Sequence, residues 1–163
     1  MQQMPNETTL NRLTAGRAAS LLLEARMHKN AAYTLYSDVQ VALLYYDQLP
    51  SVEHKIRTIA KYSPHADTVI EKLNRQICEK MAVFCRGFKE RKQQIDTQWQ
   101  YLYNELITVV DQLGYVEPDK LGSAPEHIED VKLALEETKE KSDRIDAMLL
   151  ELCSQCEGGS NDA

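Results

Sequence analysis

The stretch SPHADTVIEKLNRQICEKMAVFCRGFKERKQQIDTQWQYLYNELITVVDQLG, residues 63–114, decides the fold. Its apolar residues fall at Ala66, Ile70, Leu73, Ile77, Met81, Phe84, Phe88, Ile95, Trp99, Leu102, Leu106, Val109 and Leu113. Steps of three and four place one side chain per turn on one face, which predicts a helix with a buried stripe. Ser63-Pro64 supplies a capping hydroxyl and a ring preset for the first turn. Gly114 supplies a residue that can end the helix in the left-handed conformation. About fifty residues at about 1.5 Å each make a rod of about 75 Å, which cannot bury its stripe alone. The other segments, or a second copy of the chain, are expected to cover it.

The last segment carries the clearest periodicity. Ile128, Val131, Leu135, Thr138, Ser142, Ile145, Leu149, Leu152 and Cys156 alternate steps of three and four, the seven-residue repeat of a coiled-coil seam. Thr138 and Ser142 are polar members that weaken the seam and help fix its register. Pro125, with Glu126, Glu129 and Asp130, suits a helix start. Between the two helices, residues 115–124 hold Pro118 and Gly122 and read as a reversing loop. Ile95 to Leu113 has the same heptad spacing, so the two helices should pair as an antiparallel hairpin. The earlier half, Ala66 to Phe88, should pack instead on the first helix. The charged run Arg86 to Lys92 lies at the junction of the two.

Before the rod, Leu10 to Leu49 has a broad apolar stripe, with Leu21-Leu22-Leu23 and Val41 to Tyr46 apolar on more than one side. A helix with two neighbours looks like that. Thr8 or Thr9 can cap it, and one helix is preferred over two meeting at His28-Lys29-Asn30. Pro50 ends it, and Ser51 caps a short helix over residues 52–62. The expected fold is therefore all-α: an elongated bundle of three or four helices with a coiled-coil-like hairpin in its C-terminal half. Its single domain, 1–157, has helices at 8–49, 52–62, 64–113 and 125–153. Met1 to Glu7 reads as a flexible lead and 158–163 as a disordered tail.

Composition limits the chemistry. The 163 residues are 43% hydrophobic and 27% charged, with only 6 Gly and 5 Pro, which favours a few long helices over many strands. A net charge of -6 without a long basic run argues against nucleic acid. No secretory signal or membrane-spanning run is visible, so Asn6-Glu7-Thr8 reads as a chance glycosylation pattern. The four cysteines then read as reduced thiols of a cytoplasmic protein.

Cys153 and Cys156 form a CxxC at the C-terminal end of a helix, the wrong end for stabilising a thiolate. With Cys78 and Cys85 they could complete a four-thiolate site if the last helix folded back, but packing as small apolar side chains is preferred. His28, His54, His65 and His127 are scattered and read as solvated residues near helix ends. No phosphate loop or nucleophile elbow occurs, and no pocket for a general acid is suggested. No enzyme, cofactor or metal site is expected.

The cations Lys72, Arg75, Lys80, Arg86, Lys89, Arg91 and Lys92 either form a solvated face beside Glu79 and Glu90 or meet an acidic lipid surface. The first reading is preferred. Aromatic residues exceed what a thin hairpin can bury, and tyrosine and tryptophan favour partner interfaces. The candidate interaction residues are Tyr33, Tyr36, Tyr45, Tyr46, Phe84, Phe88, Arg91, Trp99, Leu102, Leu106, Ile145 and Leu149. The Tyr33–Tyr46 face is the first place to look for a partner. Tyr101 and Tyr103 belong to the same excess of aromatic residues, while the stretch Trp99-Gln100-Tyr101-Leu102 lies mid-helix and reads as core.

The run Leu21-Leu22-Leu23-Glu24-Ala25, with Tyr33-Thr34-Leu35, Val41-Ala42-Leu43 and Leu49-Pro50-Ser51-Val52-Glu53, resembles part of a known family. It looks like the last long helix of the scaffold and dimerisation region in kinases that phosphorylate inhibitor of kappa B. The similarity covers about a third of the chain, needs a gap and carries no kinase motif. It implies a non-catalytic helical fragment and transfers no functional residue. The sequence thus points to a scaffold, dimerisation or adaptor module working through long amphipathic helices. Its partner would be itself or another helical protein in the cytoplasm. A peripheral membrane module using residues 72–92 is the alternative.

Overall fold

The computed structural model describes residues 7–59, 61 and 63–157; the expected tail and residues 1–6 of the expected lead lie outside them, and Glu7 is already helical. It is all-α, with no strand among the described residues. The helices are α1 (Glu7–Asp47), α2 (Leu49–Ile59), α3 (Ala66–Leu113) and α4 (Ala124–Glu157), with a 3-10 turn at Pro118–Lys120. No helix among the described residues is long and apolar enough to cross a membrane.

Local chemistry sets the boundaries. α1 is described from Glu7, so Thr8 and Thr9 lie inside it rather than capping it. α1 ends at Asp47, just ahead of Pro50, and Pro50 itself sits in the first turn of α2, where its missing N–H costs nothing. Ser51 is accordingly inside α2. Before α3, Ser63 Oγ accepts from the His65 N–H at 3.2 Å, and regular helix begins at Ala66. α3 ends before Gly114, but not through a left-handed glycine. Gly114, Tyr115 and Val116 donate to Asp111, Gln112 and Leu113, tightening the exit into i→i−3 bonds. Among the described residues the glycine with positive φ is Gly122, at 57°, just ahead of α4.

The described chain divides into two compact units, each built from parts of α1, α3 and α4. One takes the chain up to Thr34 together with Gln94–Ser142. Its core joins Ala18, Leu21, Leu22 and Ala25 of α1 to Leu102, Leu106 and Val109 of α3 and Ile128, Val131 and Leu135 of α4. The expected division of labour, with α1 covering only the first half of α3, is therefore corrected. Here α1 packs on the second half as well, because its small alanines form a seam between two leucine-rich neighbours. In this unit α3 and α4 run antiparallel: the Trp99 indole donates to Leu135 O at 2.9 Å, and Ser142 donates to Asp96 at 2.8 Å.

The other unit takes Leu35–Gln93 and the chain from Asp143 on. Its buried residues include Leu35, Val39, Ile70, Met81, Phe88, Ile145, Leu149 and Leu152. Cys78 is bonded to Cys156 and Cys85 to Cys153, with Cα separations of 5.5 and 5.9 Å. The expectation of reduced thiols is corrected. Two cysteines seven residues apart on α3 meet two that are three apart on an antiparallel α4. The last helix does fold back onto Cys78 and Cys85, but as two disulfides rather than one four-thiolate site.

Candidate interaction surface

The candidate residues separate into core and surface. Leu102, Leu106, Ile145, Leu149 and Phe88 are buried within the chain's own helices. Trp99 is half-buried; its ring stacks on Tyr103 at 5.1 Å and carries Lys139 Nζ at 5.8 Å. Tyr33 is exposed, with Lys141 Nζ 4.6 Å and Lys29 Nζ 5.6 Å from its ring centre. Lys29 also pairs with Glu137, whose hydrogen bond raises its pKa above the ordinary value. Tyr33 thus serves a contact between α1 and α4, and its outer edge remains in solvent. Tyr36 and Tyr46 are half-buried.

The exposed candidates in the second unit are Tyr45 and Phe84. Phe84 stacks on buried Phe88 at 6.2 Å while remaining 53% exposed. Tyr45 does not stand alone. Val41, Leu44 and Tyr45 are 64%, 58% and 64% exposed, and Val52 of α2 is exposed too. Spacing of three and four puts Val41, Leu44 and Tyr45 on neighbouring parts of one helical surface. Among the described side chains between Val39 and Ile70, none is buried. The residues there that turn inward, Leu43, Tyr46, Leu49 and Ile56, are only half-covered. A helical stretch with this much apolar surface and no buried core is unusual for a chain that buries its other helices well.

A second exposed apolar row includes Tyr103, one of the aromatic residues singled out in the sequence, together with Ile107 and Val110, which were not. Tyr103, Ile107 and Val110 of α3 are exposed beside Trp99. They lie on the flank of the buried row Leu102, Leu106 and Val109, and periodicity alone had assigned that helix a single apolar face.

The basic stretch is partly engaged. Arg91 donates to Asp38 at 2.9 Å, and buried Lys92 reaches both carboxylate oxygens of Asp146 at 3.0 Å. Arg75 pairs with Glu71 on the same helix. The predicted ion partners Glu79 and Glu90 are thus replaced, for the cations named here, by residues on α1, α3 and α4.

His28 departs from its reading as a solvated residue. It is buried on α1, with Nε2 2.8 Å from Ile95 O. It falls on the α1 seam because it continues the spacing of Leu21 and Ala25. Among the described residues, no group of three or more His, Cys, Asp or Glu is placed to hold a metal ion. Comparison with protein-family models, curated proteins and solved structures found no match.

Proposed function

We propose that this chain is a non-catalytic protein-interaction module, a scaffold, dimerisation or adaptor element. Its docking surface is formed by the end of α1 and by α2. The observation that carries the reading is the uncovered apolar surface of Val41, Leu44, Tyr45 and Val52, in a stretch without one buried side chain among those described. Covering such a surface removes apolar area from water, worth about 25 cal/mol per Å² before the costs of association. Tyrosine adds a polar tip that keeps the free surface soluble.

In this reading α3 and α4 form a coiled-coil-like hairpin that stiffens the module, and the partner is a second copy or another helical protein. The limited resemblance to the scaffold region of the inhibitor-of-kappa-B kinases fits the same class. A membrane reading of residues 72–92 is weakened by the engagement of Arg91 with Asp38 and of Lys92 with Asp146. The test is the mass in solution by light scattering over a wide concentration range. Assembly through this surface predicts an oligomer that Leu44→Asp and Tyr45→Asp convert to monomer with helicity unchanged. Oligomers of unchanged mass in both variants would exclude this surface as the site of self-association.

A further inference from the structure

We propose that the four cysteines form a thiol–disulfide exchange site at which one two-electron reduction by a dithiol opens both links between α3 and α4. Cys85 and Cys153 are buried, whereas Cys78 and Cys156 are half-exposed. An external thiolate therefore reaches the Cys78–Cys156 bond first. The two bonds also share a chain segment, since Cys153 and Cys156 are one helical turn apart on α4.

The steps balance. A dithiol thiolate attacks Cys78 Sγ, forming a mixed disulfide and releasing Cys156 as thiolate. Cys156 attacks Cys153 Sγ, which breaks the Cys85–Cys153 bond and releases Cys85. The second thiol of the reductant attacks its own sulfur in the mixed disulfide and leaves as an oxidised cyclic disulfide, releasing Cys78. The two protons of the dithiol end on Cys78 and Cys85. The protein then holds one disulfide, Cys153–Cys156, within α4.

That bond requires the end of α4 to loosen. Residues three apart on a helix have Cβ atoms about 5–6 Å apart, against about 3.8 Å across a disulfide. The site lies in the last turns of α4, which ends at Glu157, where terminal carbonyls lack helical partners and unwinding is least costly. Exchange thus couples the reduction to release of the α4 end from α3.

The test treats the full oxidised chain with one molar equivalent of dithiothreitol, quenches with N-ethylmaleimide and maps tryptic peptides by mass. Cleavage after Arg75, Lys80, Arg86 and Arg144 separates Cys78, Cys85 and the Cys153/Cys156 peptide. The expected product carries label on Cys78 and Cys85 and an internal disulfide in the last peptide. Label on Cys78 and Cys156 with Cys85–Cys153 intact would overturn the proposal. So would a mixture of untouched and fully reduced molecules, or four free thiols in the chain purified without reductant. Cys156→Ser removes the internal nucleophile, and labelling of Cys85 under the same dithiol should slow at least about tenfold. An unchanged rate, with helicity by circular dichroism equal to that of the parent, would also overturn it.

Discussion

His28 Nε2 donates a hydrogen bond to the Ile95 carbonyl at 2.8 Å, while its Nδ1 is buried without a partner. A carbonyl can only accept, so Nε2 carries a proton, and a second proton on buried Nδ1 would find no acceptor. Burial lowers the pKa of His28 below 6.5, against the opposing pull of the Ile95 hydrogen bond and the Asp96 charge. Well above pH 6.5 the ring is neutral both folded and unfolded, and its contribution does not vary with pH. Below that value the unfolded chain takes up a proton that the folded chain resists, so stability falls as pH falls. The slope is at most about 1.4 kcal/mol per pH unit for one site. Urea midpoints at pH 7.5, 6.5 and 5.5 should drop more steeply for the parent than for His28→Leu. Parallel drops would show that His28 does not carry the dependence.

The same residue marks the limit of what sequence shows. Large apolar side chains revealed α3 and α4, because leucine, isoleucine and phenylalanine at steps of three and four leave little choice of face. α1 hid its seam in small and polar residues: Thr14, Ala18, Leu21, Ala25, His28, Ala32, Leu35 and Val39 alternate steps of four and three, and all are buried. Thr14 and His28 hold seam positions that an apolar pattern passes over, while apolar Leu13 and Leu23 are exposed, which blurs the stripe. The disulfides were hidden for another reason. Spacing along one helix does not reveal which residues on another helix face it, and register comes only with the antiparallel packing of α3 on α4. The exposed surface of α1 was partly visible as the continuous run Val41 to Tyr46. That it lacks a cover is a property of the packed molecule.

Core and surface on α3 should respond very differently to truncation. Leu102 is fully buried among α1 and α4 residues, and Ile107 is exposed one turn away. Leu102→Ala should cost about 2–5 kcal/mol, through lost burial and the cavity left behind. Ile107→Ala should change stability by less than about 0.5 kcal/mol. Urea unfolding of the two variants checks the contrast, and similar losses would place Ile107 in a hidden contact.

Two glycines should give opposite signs. Gly87 lies inside α3 with open space where a Cβ would stand, so Gly87→Ala should stabilise by about 0.5–1 kcal/mol. Gly122 holds φ at 57°, a conformation that disfavours a Cβ even though space is free, so Gly122→Ala should destabilise by about 1 kcal/mol. Thermal melts at pH 7 distinguish them, and two shifts of the same sign would contradict the backbone argument.

The buried ammonium of Lys92 depends on Asp146, whose own side chain is largely exposed. Removing the carboxylate takes the opposite charge of Asp146 away from a desolvated ammonium, whereas removing the ammonium leaves a solvated carboxylate. Asp146→Ala should therefore cost about 1–3 kcal/mol, more than Lys92→Met, which exchanges the amine for an apolar chain of similar length. Chemical denaturation of the two single variants tests the asymmetry, and equal losses would mean that the ion pair itself, rather than the charge left buried, sets the cost.

Assembly and folding can be separated by choosing aspartates at residues of known burial. Leu106 is buried in the core of the first unit, so Leu106→Asp should unfold that core whether or not the chain self-associates. Phe84 and Leu44 are more than half exposed, and an aspartate there meets water rather than a core. If the α1–α2 surface joins two copies, Leu44→Asp lowers the mass seen by light scattering while the far-ultraviolet dichroism stays the same. Phe84→Asp then reports how far the interface extends onto α3: a lower mass places Phe84 inside it, and an unchanged mass confines it to α1 and α2. Loss of mass only together with loss of helicity, in all three variants, would mean that association merely follows folding and that the exposed surface joins nothing.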